Sequence, residues 1–385
     1  MVSARRVFFG DSLVSTARLR DFLTRRAVAR RRFPALRAPG AAEFPPRGIY
    51  RLFYTTVMKA LTFKTLSLLA DGEFRSGQDL AATLGVSRGA IWYALRGLDE
   101  FGIDIHKVRG RGYRLAEPLS LLDRAEIERE LGAHAARFPL AVLDSAESTN
   151  TLLMRRAAEG APGGSVIAAE WQTHGRGRHG RVWHALPGAA LTFSLLWRFQ
   201  QGAGFLAGLS LAVGVAMTRA LAALGTEEAG LKWPNDVLWR GRKLAGILIE
   251  MQGDMLGPSA AVIGIGLNCR LPDALTSRID QPVADLASAC GAAPDRNRVL
   301  ALLLIALERV LDAFARDGFA PLRGEWQRRH VYQGKAVQLA LPDGGVVSGT
   351  AAGVAEDGAL LLATKAGLRR FHSGDVSLRR AGTVA

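Results

Sequence analysis

The sequence predicts an α+β protein of several domains: an N-terminal winged helix-turn-helix unit, a central mixed α/β region and a small C-terminal β-barrel. A helix-turn-helix pattern with a basic hairpin fills residues 58–118. Helical and strand-like segments alternate from 119 to 327, and short strands divided by glycine turns fill 328–385. A chain of 385 residues, 49% hydrophobic and 22% charged, is large enough for two or three such domains.

The first 57 residues differ in composition from everything that follows. They hold twelve arginines against three acidic residues, which accounts for nine of the formal net charge of +15, and they show no sustained periodicity. A basic nucleic-acid arm and a transit-type peptide both fit this composition. We expect instead a disordered extension, or one upstream of the true start codon, because the first amphipathic pattern, MKALTFKTLSLLADGEF, opens at Met58.

Residues 58–118 predict a DNA-binding unit. A helix over 78–84 ends at Gly85, and Ser87 caps a second helix whose apolar residues share one face. This spacing is that of a helix-turn-helix, and the run IDIHKVRGRGYRL then forms a basic hairpin, the wing. A three-helix protein-interaction module is the alternative, but the basic wing favours DNA. The residues expected to contact DNA are Ser87, Arg88, Trp92, Tyr93, Arg96, Lys107, Arg109 and Arg111.

The central region predicts strands and helices in loose alternation. LAVLDSAESTNTLLMRRAAEG is a strand followed by a helix that Ser148 or Thr149 caps. Residues 205–224 and the run RVLALLLIALERVLDAFARDG are predicted helices, and GSVIAAEWQ, AALTFSLLW and AAVIGIGLNC are predicted strands. KWPNDVLWRGRKLAGILIEM is a loop and hairpin. The uncharged stretch 199–218 is too polar for a membrane span, so we expect a buried helix there.

In residues 328–385, short strands such as GKAVQLAL and ALLLAT are separated by turns containing PDGG, DG and SG. This is the pattern of a small barrel. No catalytic pattern is visible in it, so we expect it to pack against the rest of the chain or to help bind a protein partner.

Cysteine usage indicates a reducing compartment. Cys269 and Cys290 are the only cysteines, and the sequence has neither a CxxC pair nor a Cys/His cluster at zinc spacing. We therefore expect a cytoplasmic protein without a membrane span and without a protein-bound metal site.

The stretch GRGRHGRVW, residues 175–183, is called the Gly/Arg loop below and has the glycine spacing of a dinucleotide-binding turn. Such a turn leads directly into a helix whose amides hold a pyrophosphate. Here Pro187, Gly188 and a strand-like run follow instead, so a nicotinamide site is not expected. Glycines let the backbone fold closely over a ligand, and arginines neutralise phosphate through forked hydrogen bonds. We expect a phosphate-binding loop between two strands, with a solvated basic loop as the alternative.

Further motifs accompany the Gly/Arg loop: STN at 148–150, EWQ at 170–172, KWPND at 232–236 followed by RKLAGILIE, and GIGLN at 264–268. Together with the helix-turn-helix they closely resemble the bifunctional biotin protein ligases that also repress the biotin operon. The resemblance covers about residues 63–379 and depends on the joint occurrence of the motifs. It implies a catalytic domain of the biotin/lipoate ligase type and an SH3-like C-terminal barrel.

The resemblance implies an ATP-dependent ligase. Enzymes of this family join the biotin carboxylate to the α-phosphate of ATP, release pyrophosphate, and pass biotin to a lysine of the biotin carrier domain of acetyl-CoA carboxylase. ATP with Mg²⁺ is then the co-substrate and biotin the substrate, and no tightly bound cofactor is expected. The catalytic residues implied are Arg178 and Lys243, and with Arg176 these three cations are expected to converge on one anion-rich pocket.

The resemblance also assigns the two substrates to residues of this chain. Biotin is expected to contact Ser148, Thr149, Asn150, Gln172, Arg176, Gly177, Arg178, Lys243 and Gly246. ATP or the adenylate is expected to contact Gly175, Arg176, Arg178, Arg181, Trp183, Lys232, Asn235 and Asn268. Asp236 is expected to stabilise its loop rather than to bind a metal.

As a repressor, the chain is expected to dimerise when it holds the adenylate and to bind a palindromic operator. Trp92 and Tyr93 stand where this family often has smaller or polar side chains, which leaves the base preference open. Two alternatives remain: a DNA-binding biotin sensor with weak or no ligase activity, and a lipoate ligase.

Overall fold

A computed structural model of the chain describes residues 60–98, 103–253, 257–276, 279–341, 344–372 and 377–380. The extension expected over 1–57 lies outside these residues. The chain divides into two compact units, Met1–Pro118 and Leu119–Ala385.

The first unit is a winged helix-turn-helix, as predicted. Its described elements are α1 (residues 60–69), α2 (Gly77–Leu84), α3 (Arg88–Leu98), β1 (Ile105–Val108) and β2 (Gly112–Leu115), the two strands forming an antiparallel hairpin. The side chain of Ser76 caps α2 by accepting a hydrogen bond from the amide of Asp79, and Gly85 ends the helix with a φ of 64°. Gly112 cannot carry a side chain, because a Cβ there would lie 2.1 Å from the carbonyl oxygen of Arg75.

The second unit is built on a seven-stranded sheet of order β3-β4-β5-β9-β8-β7-β6, in which β3 and β4 are parallel and the other neighbours antiparallel. The strands are β3 (Leu140–Ala146), β4 (Val166–Gln172), β5 (Ala190–Phe199), β6 (Ala229–Lys232), β7 (Asp236–Trp239), β8 (Arg242–Gly253) and β9 (Ser259–Asn268). Its helices are α4 (Arg124–Leu131), α5 (Thr149–Ala158), α6 (Leu209–Ala222), α7 (Asp273–Thr276), α8 (Leu286–Cys290), α9 (Arg296–Asp317) and α10 (Ala320–Arg329).

The two faces of this sheet are covered differently. Alternate residues of the central strands, such as Ile263 and Ile265, join the main core with α6 and α9. Helix α5 packs on the other face through a smaller cluster that includes Leu153, Leu196 and Val262. The STN motif opens α5 on this second face, whereas Glu170 of EWQ and Trp233 of KWPND point to the side of the main core. Within the described residues, no helix is both long and apolar enough to span a membrane.

The C-terminal region forms a five-stranded antiparallel sheet of order β13-β12-β11-β10-β14. Its strands are β10 (Ala336–Ala340), β11 (Val346–Val354), β12 (Leu360–Thr364), β13 (Gly367–Phe371) and β14 (Ser377–Arg380). This is the strand content expected of an SH3-like domain, although β13 and β14 do not pair within the described residues. This C-terminal region contacts the rest of the second unit directly, since the indole Nε1 of Trp233 donates to the carbonyl of Gly358 at 3.0 Å.

Candidate functional site

The Gly/Arg loop is a narrow hairpin between β4 and β5. The amide of Trp183 donates to the carbonyl of Gly175 at 2.9 Å, and the amide of Gly177 donates to the carbonyl of Arg181 at 2.7 Å. A Cβ on Gly175 would lie 2.5 Å from the carbonyl oxygen of Trp183, so the two legs approach closely only because this residue is glycine. A short 3₁₀ turn, Arg178–Gly180, forms the tip. No nucleotide-binding helix follows the loop, in agreement with the sequence analysis.

The STN motif forms a buried polar cluster at the start of α5. Ser148 caps the helix, with its Oγ 3.4 Å from the amide of Thr151. Gln172 accepts hydrogen bonds from the amide and hydroxyl of Thr149, at 2.8 and 3.2 Å. Ser194 of β5 donates toward the Thr149 hydroxyl at 2.7 Å and Asn150 Oδ1 at 2.6 Å. The structure thus brings together the four residues expected at one end of biotin.

Glycines form a flat floor beside this polar cluster, on the α5 face of the sheet. Gly246 of β8 pairs with Gly266 of β9, and Gly264 precedes Gly266 by two residues on the same strand. A Cβ on Gly264 would lie 2.2 Å from Asn150 Oδ1, and one on Gly266 would lie 2.2 Å from the indole of Trp183. The indole of Trp183 therefore rests on this glycine floor. The polar cluster lies on one side of it, and Lys243 lies on the other.

The next group of residues consists of two cations held by adjacent residues of the KWPND segment. Arg178, from the Gly/Arg loop, donates to Asn235 Oδ1 at 3.2 Å. Lys243, from β8, lies with its Nζ 2.8 Å from Asp236 Oδ1, and both side chains are largely buried. Asn235 itself is fixed to β8, since its Nδ2 donates to the carbonyl of Ile247 at 2.8 Å. Two positive side chains from separate segments are thus held by the side chains of two consecutive residues.

Arg176 has a different partner from Arg178 and Lys243, and the convergence of the three cations on one pocket stays a prediction. Arg176 Nη2 lies 2.9 Å from Glu250 Oε2 and 3.0 Å from the hydroxyl of Thr151. The carboxylate of Glu250 also accepts from Asn150 Nδ2 at 2.9 Å and so ties Arg176 to the polar cluster.

Other predicted substrate contacts are distributed around the same face. Lys232 Nζ lies 3.9 Å from Asp236 Oδ2, and its strand, β6, is at the edge of the sheet, beyond β7. Arg181 is exposed on the Gly/Arg loop. Asn268 is buried, and its Nδ2 donates to the carbonyls of Lys243 and Ala284 at 3.3 and 3.0 Å. In this arrangement Asn268 secures the segment before α8 against β8.

The predicted DNA-contacting residues of the first unit lie on α3 and the wing. Trp92 and Tyr93 are 42% and 54% exposed, and the guanidinium of Arg96 stacks 5.0 Å from the Trp92 ring. Ser87 Oγ accepts from the amide of Ala90 at 3.2 Å, so it caps the helix as predicted. Arg88, Lys107, Arg109 and Arg111 are exposed.

Sequence reasoning missed Ser194 and Glu250. Ser194 is one of two polar residues in the otherwise apolar core of β5, and Glu250 ends the apolar run LAGILI. Each interrupts an apolar strand, which is a signal, but only the strand register shows that both face Asn150.

Among the described residues, no three His, Cys, Asp or Glu side chains lie close enough to hold a metal ion. Asp236 and Glu250, the carboxylates nearest the candidate site, are paired with Lys243 and Arg176. Both cysteines are free, and burial raises the pKa of the Cys269 thiol to about 12.

Comparison with known proteins supplies the family. Residues 142–268 match the biotin/lipoate A/B protein ligase family, 332–379 the biotin protein ligase C-terminal domain, and 62–114 a helix-turn-helix domain. The bifunctional ligase/repressor BirA of Escherichia coli is 38% identical over 318 residues, covering 83% of this chain and 97% of that protein. The biotin acetyl-CoA-carboxylase ligase of Mycobacterium tuberculosis is 37% identical over 272 residues, 68% of this chain and 97% of that protein.

A solved structure agrees. The biotin protein ligase of Aquifex aeolicus in complex with biotin and ATP superposes with a TM-score of 0.54 at 29% identity, covering 63% of this chain and 99% of that one. The chain therefore belongs to the BirA family of biotin protein ligases that carry an N-terminal helix-turn-helix domain.

Proposed function

We propose that the chain is a biotin–protein ligase that activates biotin with ATP to biotinyl-5′-AMP and transfers biotin to a lysine of a biotin carboxyl carrier protein of acetyl-CoA carboxylase. One observation carries the proposal: Arg178 and Lys243 meet at Asn235 and Asp236, beside a glycine floor that leads from a buried polar cluster. A cationic end and a polar end joined by a flat slot suit a substrate with a carboxylate at one end and a ureido group at the other.

The first step is attack of a biotin carboxylate oxygen on the α-phosphorus of ATP. The new bond is the acyl-phosphate bond, and the bond to the oxygen that bridges to the β-phosphate breaks, so pyrophosphate leaves with its electron pair. Two anions must approach each other for this to happen. We assign Lys243 and Arg178 to neutralising the carboxylate and the pentacoordinate phosphorus, because charges held in place before reaction stabilise a transition state most effectively.

Asp236 has a supporting role in this proposal. Its carboxylate holds the ammonium of Lys243 at 2.8 Å, and Lys232 contributes a second, longer contact at 3.9 Å. A lysine side chain is flexible, so a fixed carboxylate partner reduces the conformational freedom that substrate binding would otherwise have to remove.

The polar cluster is proposed to bind the ureido group. Thr149 is hydrogen-bonded to Gln172, and Ser194 contacts both Thr149 and Asn150, so these side chains are held in fixed orientations. A ureido group offers one carbonyl acceptor and two N–H donors, which amide and hydroxyl side chains of this kind can match. The indole of Trp183 would leave the floor and cover the ligand, where it could stack on adenine.

In the second step the ε-amine of the acceptor lysine attacks the acyl carbon of the adenylate. An amide bond forms, the acyl–oxygen bond to phosphate breaks, and AMP leaves. The amine must lose a proton, and the departing phosphate oxygen can take it. The same two cations stabilise the leaving phosphate.

Mg²⁺ is expected to enter with the phosphates of ATP. The carboxylates around the site are paired with cations and do not offer a vacant ligand set, and Mg²⁺ characteristically binds through substrate phosphates and water.

We further propose that the chain is a biotin-dependent repressor of biotin-synthesis genes, active as an adenylate-bound homodimer on a palindromic operator in the cytoplasm. The exposed basic wing and α3 of the first unit support DNA contact. A dimer places two such units on two half-sites, which is how helix-turn-helix proteins gain affinity.

Biotin-dependent exchange of labelled pyrophosphate into ATP tests the ligase directly. The chain is expected to show exchange that requires biotin and is not supported by lipoate. Exchange supported by lipoate but not by biotin would make it a lipoate ligase. Biotin binding without any exchange would leave only a DNA-binding biotin sensor. In a parallel mobility-shift assay, failure of biotin and ATP to promote binding to the biotin-gene promoter would refute the repressor role.

A further inference from the structure

A buried ion pair joins strand β4 to helix α9, outside the substrate site. Arg296 Nη2 lies 2.7 Å from Glu170 Oε1, and the two side chains are only 2% and 5% exposed. Moving two charges out of water is costly, and a buried pair is tolerated when further hydrogen bonds satisfy both groups. The partners that satisfy this pair come from two further segments of the second unit.

The first of these segments closes the β4–β5 connection, which contains the Gly/Arg loop. Glu170 itself lies near the end of β4, from which this connection departs. Where the chain returns to β5, the amide of Gly188 donates to Glu170 Oε2 at 3.3 Å, and Arg296 Nη1 donates to the carbonyl of Ala190 at 2.9 Å. One pair of charges therefore links the two ends of the β4–β5 connection.

The second is residues 119–123, called the linker segment below, which directly follows the last residue of the DNA-binding unit. Arg296 Nε donates to the carbonyl of Ser120 at 2.8 Å, and the amide of Leu122 donates to the Glu170 carboxylate. Asn297, the next residue of α9, accepts from the amide of Asp123 at 2.8 Å and donates to the carbonyl of Leu121 at 3.2 Å. The linker segment thus has little freedom to move independently of the pair.

We propose that Glu170 and Arg296 are positioning residues that couple ligand binding at the Gly/Arg loop to the DNA-binding unit through the linker segment. This inference rests on the proposed function. Any displacement of Gly188 or Ala190 when the loop closes on the adenylate changes bonds to the same two groups that hold Ser120 and Leu122. Because the charges are buried, a lost hydrogen bond is not replaced by water, so the linker segment readjusts with the loop.

The test separates the linker bonds from the loop bonds. Asn297→Leu removes hydrogen bonds to the linker segment and touches neither end of the loop. The double substitution Glu170→Gln with Arg296→Met removes both charges together, so that neither is left buried alone. Glu308→Gln is the matched control, because Glu308 also lies on α9 and pairs with Arg137 at 2.8 Å. Thermal unfolding of each full-length variant verifies that it folds.

The quantity measured is the ratio of DNA dissociation constants without and with biotin and ATP, on a duplex selected from a random pool by the adenylate-loaded wild-type chain. The ratio is expected to fall at least about fivefold in N297L and in the double variant. In N297L the pyrophosphate exchange rate should stay within about twofold of wild type, and E308Q should keep the wild-type ratio. A merely structural pair would lower the melting temperature and leave the ratio unchanged.

Hydrogen exchange on the wild-type chain gives an independent readout. Adding biotin and ATP is expected to change the protection of the amides of Leu122 and Gly188 together, since both donate to Glu170. This inference would be refuted, and the proposed function left intact, by either of two results. One is a wild-type ratio of DNA dissociation constants in both N297L and the double variant, and the other is a change in protection confined to the amide of Gly188. A wild-type chain with no exchange reaction and no biotin-dependent DNA binding would refute the proposed function first.

Discussion

Replacing Lys243 with methionine removes the charge at the proposed reaction centre and keeps most of the packing. The aliphatic part of the side chain is retained, while Asp236, 14% exposed, loses the ammonium that lies 2.8 Å from it. Breaking a fully buried pair costs about 3–5 kcal/mol. Here Lys232 remains 3.9 Å from the same carboxylate and both groups keep some contact with solvent. We therefore expect the free energy of unfolding to fall by only about 1–2 kcal/mol.

The catalytic effect should be much larger than this loss of stability. Removing one preorganised group that stabilises developing charge lowers turnover by about 100- to 1000-fold in other enzymes. Lys243→Met should reduce biotin-dependent pyrophosphate exchange, measured at saturating biotin and ATP, by a factor in this range. Arg242→Met is the matched control, because Arg242 is the preceding residue of β8 and is exposed. It should retain the wild-type rate within about twofold.

Two outcomes would refute this reasoning. Exchange by Lys243→Met at more than about a tenth of the wild-type rate would show that the ammonium does not act on the transition state. An equal loss in Arg242→Met would show that general charge on β8, rather than the geometry at Asp236, matters.

Three further predictions concern the structure around the site. Trp233→Phe leaves the buried carbonyl of Gly358 without its 3.0 Å donor, so denaturant titration should show a loss of about 1–3 kcal/mol; an unchanged midpoint would contradict this. Gly266→Ala places a methyl group 2.2 Å from the indole on the floor, and the KM for biotin should rise at least about tenfold, whereas Gly204→Ala, which meets no described residue within 4 Å, should leave it unchanged. Burial lowers the pKa of His330 to about 4, below the unfolded value near 6.5. The folded state therefore favours the neutral ring, and the free energy of unfolding decreases as the pH falls from 6.5 toward 4. From pH 8 to pH 5 the wild-type chain should lose about 2 kcal/mol more than His330→Phe, and parallel pH profiles would be the contrary result.

Much of the fold follows from local pattern in the sequence. Capping residues and glycines mark helix ends well, as Ser87 and Gly85 do around the helix-turn-helix, because these residues act on backbone groups within a few positions. The apolar periodicity of α9 likewise predicts a helix of the observed length. The predicted helix over 205–224 is observed as Leu209–Ala222, preceded by a short 3₁₀ turn.

The site was predictable as a set of motifs but not as a geometry. The motifs placed Arg178 and Lys243 in one pocket, and the structure brings them to adjacent residues. The resemblance implies the same pocket for Arg176. Its actual partner, Glu250, lies on another strand, and sequence spacing carries no information on which side chains face each other across a sheet.

The buried pair of Glu170 and Arg296 shows the same limit. The two residues are 126 positions apart, and an acidic residue in a strand or an arginine at a helix start is ordinarily solvated. Only the assembled sheet and α9 reveal that both are buried and share their hydrogen bonds with the linker segment.

The central claim is that Arg178 and Lys243 act together on one phosphate. A crystal structure of the chain with biotinyl-5′-AMP tests it most directly. We predict that the Lys243 ammonium and the Arg178 guanidinium both lie within about 3 Å of the acyl-phosphate oxygens. A phosphate bound beside Arg176 and Glu250, with the ammonium still directed only at Asp236, would contradict the claim.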